Sequence, residues 1–495
     1  MKKTKIVCTI GPASEKLEIL EALVKNGMNV VRLNFSHGSY DNHLSILKNI
    51  RAIAKKINQP IGIIQDLQGP RFRIGHIDGD GIIVKENEEV ILMADIDYKN
   101  LTVSNSKKFI PLKNISLYKG LKANNIILIE DGLISLKVIK IINKQIITKV
   151  VCGGIIKSNK GMNFPGVDLS LSVLTEKDKK DVYWGIKNKV DFIAFSFVRS
   201  VDDVIELRNL ITILEKEQYG ISKNNNKAYI THTKIISKIE TVRAVENFDE
   251  ILKETDGIMI ARGDLGIEIN LERVPILQKQ MIIKCNEAGK SVIVATQMLD
   301  SMINNPSPTR AEVSDVANAI LDGTDAVMLS AESASGKYPV NAVQILNKIA
   351  QNVEPILISK KQDKFSLPAN SLKETSKAIS LAISQIACQI KIDAIVCATT
   401  SGFTPRLIAR YKPIAPIIAL TSVLEAQNQL TLSWGVEPYL ISNSFCQTFG
   451  GFIKNAVSFL KKHKKIKQGQ IIIFAMDYPF NLIGDTNTIK VHIVE

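Results

Sequence analysis

Apolar positions along the chain follow two alternating rhythms. Short unbroken runs such as KIVCTIG (5–11), NVVRLNF (29–35) and IGIIQDL (61–67) read as strands buried on both faces. The stretches between them, 15–26 and 39–57, carry apolar residues at spacings of three and four and read as amphipathic helices. From about Gly69 to Gly166 the rhythm changes to β-type runs separated by turns, as in GIIVKENEEVILM and NIILIEDGLISLKVIKIINKQIITKVVCGG, which predicts an all-β insertion. The first rhythm then returns with VDFIAFSFV, TKIISKIE, GIMIARGD, SVIVATQM and DAVMLSAE, each followed by a helical stretch. Three strand-helix units before the insertion and five after it predict an α/β fold, a (β/α)8 TIM barrel, rather than an open sheet. The barrel is expected over 1–69 and 167–339 and the β-barrel-like insertion over 70–166. A separate C-terminal α/β domain is expected over 340–495, with runs such as AIVCATT, PIIALT, VEPYLI, QIIIFAM and TIKVHIV alternating with helices.

The strand TKIISKIETV (233–242) is apolar but charged at its end. Side chains alternate along a strand, so Ile236, Lys238 and Glu240 share one face and Ile235, Ser237 and Ile239 the other. A single lysine–glutamate pair also fits a structural salt bridge inside a barrel. Other strands, however, end in polar residues too: Arg32, Asn34, Ser36 and His37; Asp66; Arg262, Gly263 and Asp264; Thr296 and Gln297; Ser330 and Glu332. Barrel enzymes collect their chemistry where strands run into the following loops, and such a set belongs at that rim. Two carboxylates on successive strands, Glu240 and Asp264, suit one Mg²⁺ or Mn²⁺ with positions left for substrate oxygens. A lysine beside them and arginines across the mouth suit a transferring phosphoryl group.

Composition narrows the partners. The 495 residues carry a formal net charge of +14, but the lysines are dispersed among Ile and Asn with no arginine-rich block. The excess therefore reads as a solvated basic surface suited to anionic substrates, with nucleic acid as the disfavoured alternative. Six scattered cysteines without C-x-x-C spacing argue against a zinc site or a disulfide framework. No apolar run reaches membrane-spanning length and no signal-peptide pattern opens the chain, so no membrane partner and a cytoplasmic location are expected. Neither G-x-x-x-x-G-K-[ST] nor a strand-linked G-x-G-x-x-G occurs, nor does H-E-x-x-H.

Over essentially its whole length the chain resembles the pyruvate kinases. The resemblance is carried by TKIVCTIGPAS, VVRLNFSHG, SKIE, ARGDLGIEI, VATQMLDSM, GFTPRLIARY and TNTIKVHIV, and most specifically by the run from Pro308 to Ser333. It implies transfer of a phosphoryl group from phosphoenolpyruvate to ADP, with the insertion acting as a lid and the last domain regulatory. Carried over by motif, Lys238 neutralises the moving phosphoryl group and Glu240 and Asp264 bind the divalent metal. Thr296 lies near the enolate carbon, in a relay with water, and Gly263 allows backbone approach to substrate. Arg32 contacts the substrate phosphate. Arg73 and Lys160 reach ADP phosphates, and Pro12 and His37 border the nucleotide. A homotetramer is implied as well.

The sequence departs from the family in the stretch tied to K⁺. Asn34, Ser36 and Asp66 are kept, but DLQGPRFRIG (66–75) puts Leu67 where a hydroxyl ligand is expected and Arg71 where K⁺-dependent members have glutamate. The expectation is that K⁺ is not required and that Arg71 supplies the fixed cation. In the last domain Thr399, Thr400, Ser401, Gly402 and Thr404 match the family's phosphate-binding effector loop, although the same residues fit an ordinary helix cap. The second effector loop, 477–487, departs from the glycine-rich pattern, which leaves open whether the effector is a sugar phosphate or a nucleotide. Two rivals remain: a barrel lyase using Lys238 as a Schiff base, and a basic scaffold that binds RNA.

Overall fold

A computed structural model of the chain describes residues 2–99, 108–113, 120–167, 172–220, 232–360, 372–446, 448–477 and 486–495. Eight parallel strands close into a barrel: β1 (Lys5–Thr9), β2 (Val30–Asn34), β3 (Gly62–Asp66), β4 (Phe192–Phe195), β5 (Lys234–Ile239), β6 (Gly257–Ala261), β7 (Ser291–Ala295) and β8 (Ala326–Leu329). Each strand pairs in parallel with its neighbours in this order, and β8 closes on β1 through Lys5↔Ala326 to Cys8↔Leu329. The near-continuous apolar runs follow from this, because one face of each strand fills the barrel and the other packs under helices. Val7, Val30, Ile64, Phe192, Ala194, Ile236, Met259, Ile293, Ala295, Ala326 and Met328 fill the interior. Ile235, Ile239, Ile258, Ile260, Val292 and Val294 face the helical shell. Burying each such side chain contributes about 1.5–3 kcal/mol, so the polar residues at the strand ends have to be held by partners.

The insertion leaves after β3. It forms a seven-stranded sheet in the order Phe72–Arg73, Gly161–Asn163, Ile126–Ile129, Ile134–Ile142, Gln145–Cys152, Glu89–Ala94, Lys108–Leu112. An Ile74↔Leu112 bridge joins its two edges, and a two-stranded sheet of Ile82–Val84 with Gly154–Ile156 lies beside it. Its core is separate from that of the barrel. One short helix, Asp95–Lys99, interrupts a segment expected to be purely β. The last sheet orders Val436–Leu440, Ile417–Thr421, Ala394–Ala398, Ile471–Met476 and Thr488–Ile493, the final pair antiparallel.

One element lies differently from its expected place. The C-terminal domain is expected to begin at 340, yet the long helix Pro339–Lys360 buries Ala342, Val343, Leu346, Ile349, Ala350 and Leu357 in the barrel's outer core. It is the helix that covers β1, with Glu354 accepting from the Lys3 and Thr4 amides at 2.9 and 2.6 Å. A heptad-like stripe shows which face of a helix is buried but not which core it joins. Among the described residues no helix is long and apolar enough to cross a membrane.

Candidate active site

The carboxyl ends of β2, β3 and β5 bring a buried charge cluster together. Lys238 Nζ lies 2.8 Å from Glu240 Oε1 and 3.2 Å from Asp66 Oδ1, and donates to Ser196 Oγ at 2.8 Å. Arg32 Nε donates to the other Asp66 oxygen at 2.6 Å, and Arg32 Nη1 to Thr9 Oγ1 at 2.9 Å. The period-two reading of β5 explains the arrangement: Ile236 fills the barrel, and the next two side chains on that face, Lys238 and Glu240, reach its mouth.

The electrostatics follow from burial. Asp66 and Glu240 are each 1% exposed and Lys238 is 7% exposed. Burial opposes the Lys238 ammonium, but the facing Asp66 and Glu240 carboxylates outweigh it and hold its pKa above the ordinary lysine value. Burial likewise opposes the Asp66 carboxylate, and Arg32 with Lys238 outweighs it, so Asp66 sits below the usual carboxylate range. Glu240 is pushed up, by burial and by repulsion from Asp264, with Lys238 and the Phe197 amide acting against the shift. Glu240, whose carboxylate is disfavoured by burial and by the neighbouring Asp264 charge, forms with Asp264 a donor set that fits a divalent cation.

The backbone around this cluster is specialised. Phe197 has φ of 57°, and its N–H donates to Glu240 Oε2 at 2.6 Å. Asp264 stands in the first turn of the helix Arg262–Glu268, directly after β6. Thr296 and Gln297 both have positive φ, 71° and 54°, at the end of β7. Arg262 pins that turn by donating to the Thr296 carbonyl at 2.8 Å while its other arm pairs with Asp315 at 2.7 Å. Thr296 Oγ1 accepts from the Gly263 amide at 2.7 Å and donates to the Ala295 carbonyl at 2.5 Å, which ties β6 to β7.

The remaining expected residues separate into groups. Asn34 Oδ1 accepts from the Ser36 amide at 3.1 Å, and the Phe35 amide donates to the Asp66 carbonyl at 2.9 Å, so this loop sits on the end of β3. His37 is lowered in pKa, by partial burial and then by Arg71, Arg73 and Arg32, which places those cations around it. Arg73 donates to the Asn159 carbonyl at 2.9 Å and Lys160 pairs with Glu130, both within the insertion. Pro12 is exposed on the loop after β1. Arg71 is exposed and, among the described residues, no hydrogen bond or ion pair joins it to Asp66; it lines a cavity of about 280 Å³ between insertion and barrel. Phe72, Phe164, Phe197, Arg73, Arg199, Arg243, Asp264 and Glu268 share that cavity. Leu67 is buried in the outer core. Glu332 is turned from the mouth, both oxygens accepting backbone amides, from Leu299 at 3.1 Å and Ser330 at 2.7 Å.

In the last domain Thr399 Oγ1 accepts from the Gly402 amide at 2.9 Å, and Thr404 Oγ1 bonds Thr486 Oγ1 at 2.6 Å. Thr400 is exposed and Ser401 half-buried beside them. Most of the expected second effector loop, residues 478–485, lies outside the described residues. The sequence reading missed Ser196, Thr9 and Phe197. Ser196 and Thr9 carried a signal, being polar residues at or next to the ends of β4 and β1; the role of Phe197 depends on its backbone and left none.

Comparison with known proteins gives one family throughout. The family model described as pyruvate kinase, barrel domain, matches residues 1–343, and that described as pyruvate kinase, alpha/beta domain, matches 377–492. The chain is 42% identical over 497 residues to a pyruvate kinase of Geobacillus stearothermophilus, covering 100% of this chain and 80% of the relative. It is 40% identical to one of Clostridium acetobutylicum, covering 100% of both. The solved structure of a pyruvate kinase from Cryptosporidium parvum superposes with a TM-score of 0.88 at 36% identity, covering 100% of this chain and 96% of that one.

Proposed function

The chain belongs to the pyruvate kinase family of phosphotransferases, and from that premise we propose that its barrel mouth moves the phosphoryl group of phosphoenolpyruvate to ADP without needing K⁺ and under control of an anionic effector. The cluster Arg32–Asp66–Lys238–Glu240 is the observation that carries this reading. A bound Mg²⁺, held by Glu240 and Asp264, would neutralise substrate oxygens and lower the barrier to their approach. Lys238, fixed in its charged form by two carboxylates, presents an ammonium to the transferring group, while Arg32 is aimed by Asp66 and Thr9 toward the substrate phosphate. A lysine so firmly protonated cannot act as a Schiff-base nucleophile, which argues against the lyase rival. Thr296 is bonded to Gly263 and Ala295, so its part in protonating the enolate runs through water delivered beside it rather than through a free hydroxyl.

Arg73, Lys160, His37 and Pro12 are assigned to ADP. The concentration of Arg71, Arg73 and Arg32 around His37 supports a polyanion there. K⁺ independence is supported by the burial of Leu67, which has no oxygen to offer beside Asn34, Ser36 and Asp66, and by the Arg71 charge facing His37. The effector, a sugar phosphate or a nucleotide, is assigned to the Thr399–Thr404 loop, where Thr400 and Ser401 are accessible. By analogy with the family, a cytoplasmic homotetramer is assigned. Apolar side chains exposed on the barrel (Leu271, Ile276, Ile283) and on the edge strand Thr488–Ile493 (Val491, Ile493) are compatible with subunit contacts.

The deciding experiment is pyruvate formation from phosphoenolpyruvate, ADP and Mg²⁺, run in parallel with K⁺ and with tetramethylammonium. Equal turnover in both is expected. Turnover only with K⁺ refutes the Arg71 argument, and none in either refutes the assignment of the mouth.

A further inference from the structure

The first turn of the helix Glu176–Lys187, where the chain re-enters the barrel after the insertion, touches both loops that border the proposed substrate site. Lys177 Nζ donates to the Phe35 carbonyl at 2.8 Å, in the middle of the Asn34–His37 loop, and pairs with Asp181 at 2.6 Å. Asp181 is fully buried and accepts from Tyr40 Oη at 2.7 Å, so the pair is anchored at the start of the helix Tyr40–Ile57 as well. Phe35 itself stacks on His43, ring centroids 4.3 Å apart, and His43 Nε2 lies 2.9 Å from the His37 carbonyl.

Asp178 forms the second arm. It is fully buried; one oxygen closes a capping box with Thr175, and Oδ1 accepts from the Gly69 amide at 3.1 Å. Gly69 has φ of 67°, and a Cβ there would stand 2.8 Å from a Phe197 ring carbon, so the two residues are in close contact. Phe197 is the residue whose amide holds Glu240. A short path of contacts thus runs from Asp178 through Gly69 and Phe197 to the proposed metal carboxylate.

We propose that Lys177 and Asp178 are positioning residues with separate duties. Lys177 fixes the Asn34–His37 loop against the nucleotide, and Asp178 fixes Glu240 against the divalent cation. Neither touches substrate. This rests on the assignment of His37 to ADP and Glu240 to the metal given above, and the controls below separate the two levels.

The test is a split in binding constants. Lys177→Met should raise the KM for ADP about tenfold, since small displacements of positioning groups carry effects of this size or larger. It should leave Mn²⁺ affinity, titrated by electron paramagnetic resonance of the free ion, within twofold of wild type (roughly the reproducibility of such a titration). Lys177→Arg, which keeps a donor, should restore the ADP constant. Asp178→Ala should do the opposite, weakening Mn²⁺ about tenfold as loss of an outer-shell partner does, with the ADP constant nearly unchanged. Because Lys177→Met strands the buried Asp181, Lys177→Met/Asp181→Asn is measured too and should show the same ADP effect in a well-folded protein. If both variants lose activity in step with melting temperature while KM and Mn²⁺ affinity stay put, the helix turn is merely structural and the proposal fails. His37→Ala and Glu240→Gln serve as controls. Unchanged ADP or Mn²⁺ constants in these overturn the site assignment itself, whereas shifted constants in the controls but not in the helix variants overturn the positioning role alone.

Discussion

Removing the cation shared by two buried carboxylates tests the central cluster most directly. In Lys238→Met the stem length is kept and only the ammonium is lost. Nζ lies 2.8 Å from Glu240 and 3.2 Å from Asp66. At an effective dielectric of about 20 these distances correspond to roughly 6 and 5 kcal/mol of gross attraction. Much of that offsets the cost of burying the ammonium, but the variant leaves carboxylates that are each 1% exposed without it. Breaking a buried pair from one side costs about 3–5 kcal/mol, which in a domain of this size lowers the melting temperature by roughly 5–15 °C. The assay is thermal unfolding in EDTA and again with Mg²⁺, beside initial rates. Mg²⁺ should stabilise the variant more than the wild type, because it meets Glu240 and Asp264 with no competing ammonium. Turnover should fall by about 10³-fold, as for loss of a principal charge at a phosphoryl or oxyanion site, and Mg²⁺ should not restore it. Adding Glu240→Gln should recover part of the stability and none of the activity. If Lys238→Met melts with the wild type in EDTA, the carboxylates are not neutralised by Lys238 and the reasoning is wrong.

Gly69→Ala places a side chain at φ of 67° and 2.8 Å from the Phe197 ring. The left-handed backbone alone costs about 1–2 kcal/mol, and a weakened Mn²⁺ affinity in the titration above should accompany the fall in melting temperature. Glu268 is raised to about 7 by burial, with Asp264 adding to the shift and a Gly166 backbone hydrogen bond opposing it. Its native carboxyl therefore keeps a proton that the unfolded chain has lost, so its stabilising contribution is complete below the ordinary value of 4.5 and disappears as pH rises through 7. Glu268→Gln should flatten the decline in stability of the metal-free protein over that window, and an unchanged pH profile of unfolding counts against it. Lys412 has a fully buried side chain that pairs with Asp325 at 2.7 Å; Lys412→Met should destabilise by about 3 kcal/mol in denaturant unfolding, and no loss would show that Val292 and Trp434 amides suffice for Asp325.

The barrel and its polar rim were legible because both rest on periodicity. A buried parallel strand gives an unbroken apolar run, and a charged pair at its end, such as Lys238 and Glu240, stands out against it. The partners of those charges were less visible. Ser196 and Thr9 are small hydroxyl residues that fit strand ends for many reasons, and only the closed barrel shows that they receive Lys238 and Arg32. Arg262 was grouped with the mouth, but its guanidinium points outward to Asp315 and holds the Thr296–Gln297 turn. The positive φ of Phe197 has no sequence signature at all, since such a conformation in a bulky residue is imposed by its surroundings. For the same reason a domain boundary drawn at 340 cut through the helix Pro339–Lys360, since nothing local shows that its apolar face covers β1.

The geometry of the last domain gives its position a consequence. It docks at the end of the barrel opposite the mouth. Leu432 enters the interior cluster at the feet of the strands, and Thr431 packs against Gly62 at the start of β3. Gln429 donates to the Asp191 and His232 carbonyls just before β4 and β5, and Lys412 pairs with Asp325 just before β8. Segment 429–432 and Lys412 therefore hold the feet of β3, β4, β5 and β8, whose other ends carry Asp66, Ser196, Lys238 and Ser330. Five strand residues separate foot from mouth by roughly 16 Å, along backbone buried on both faces and packed too densely to absorb a displacement locally. The proposed effector loop is joined to this base by Arg406, which donates to the Ser401 carbonyl at 3.2 Å and is drawn electrostatically to Asp256, the residue before β6. If an anion seats at Thr400 and Ser401 as proposed above, its route to Asp66 and Lys238 runs through the feet of these strands rather than through direct contact.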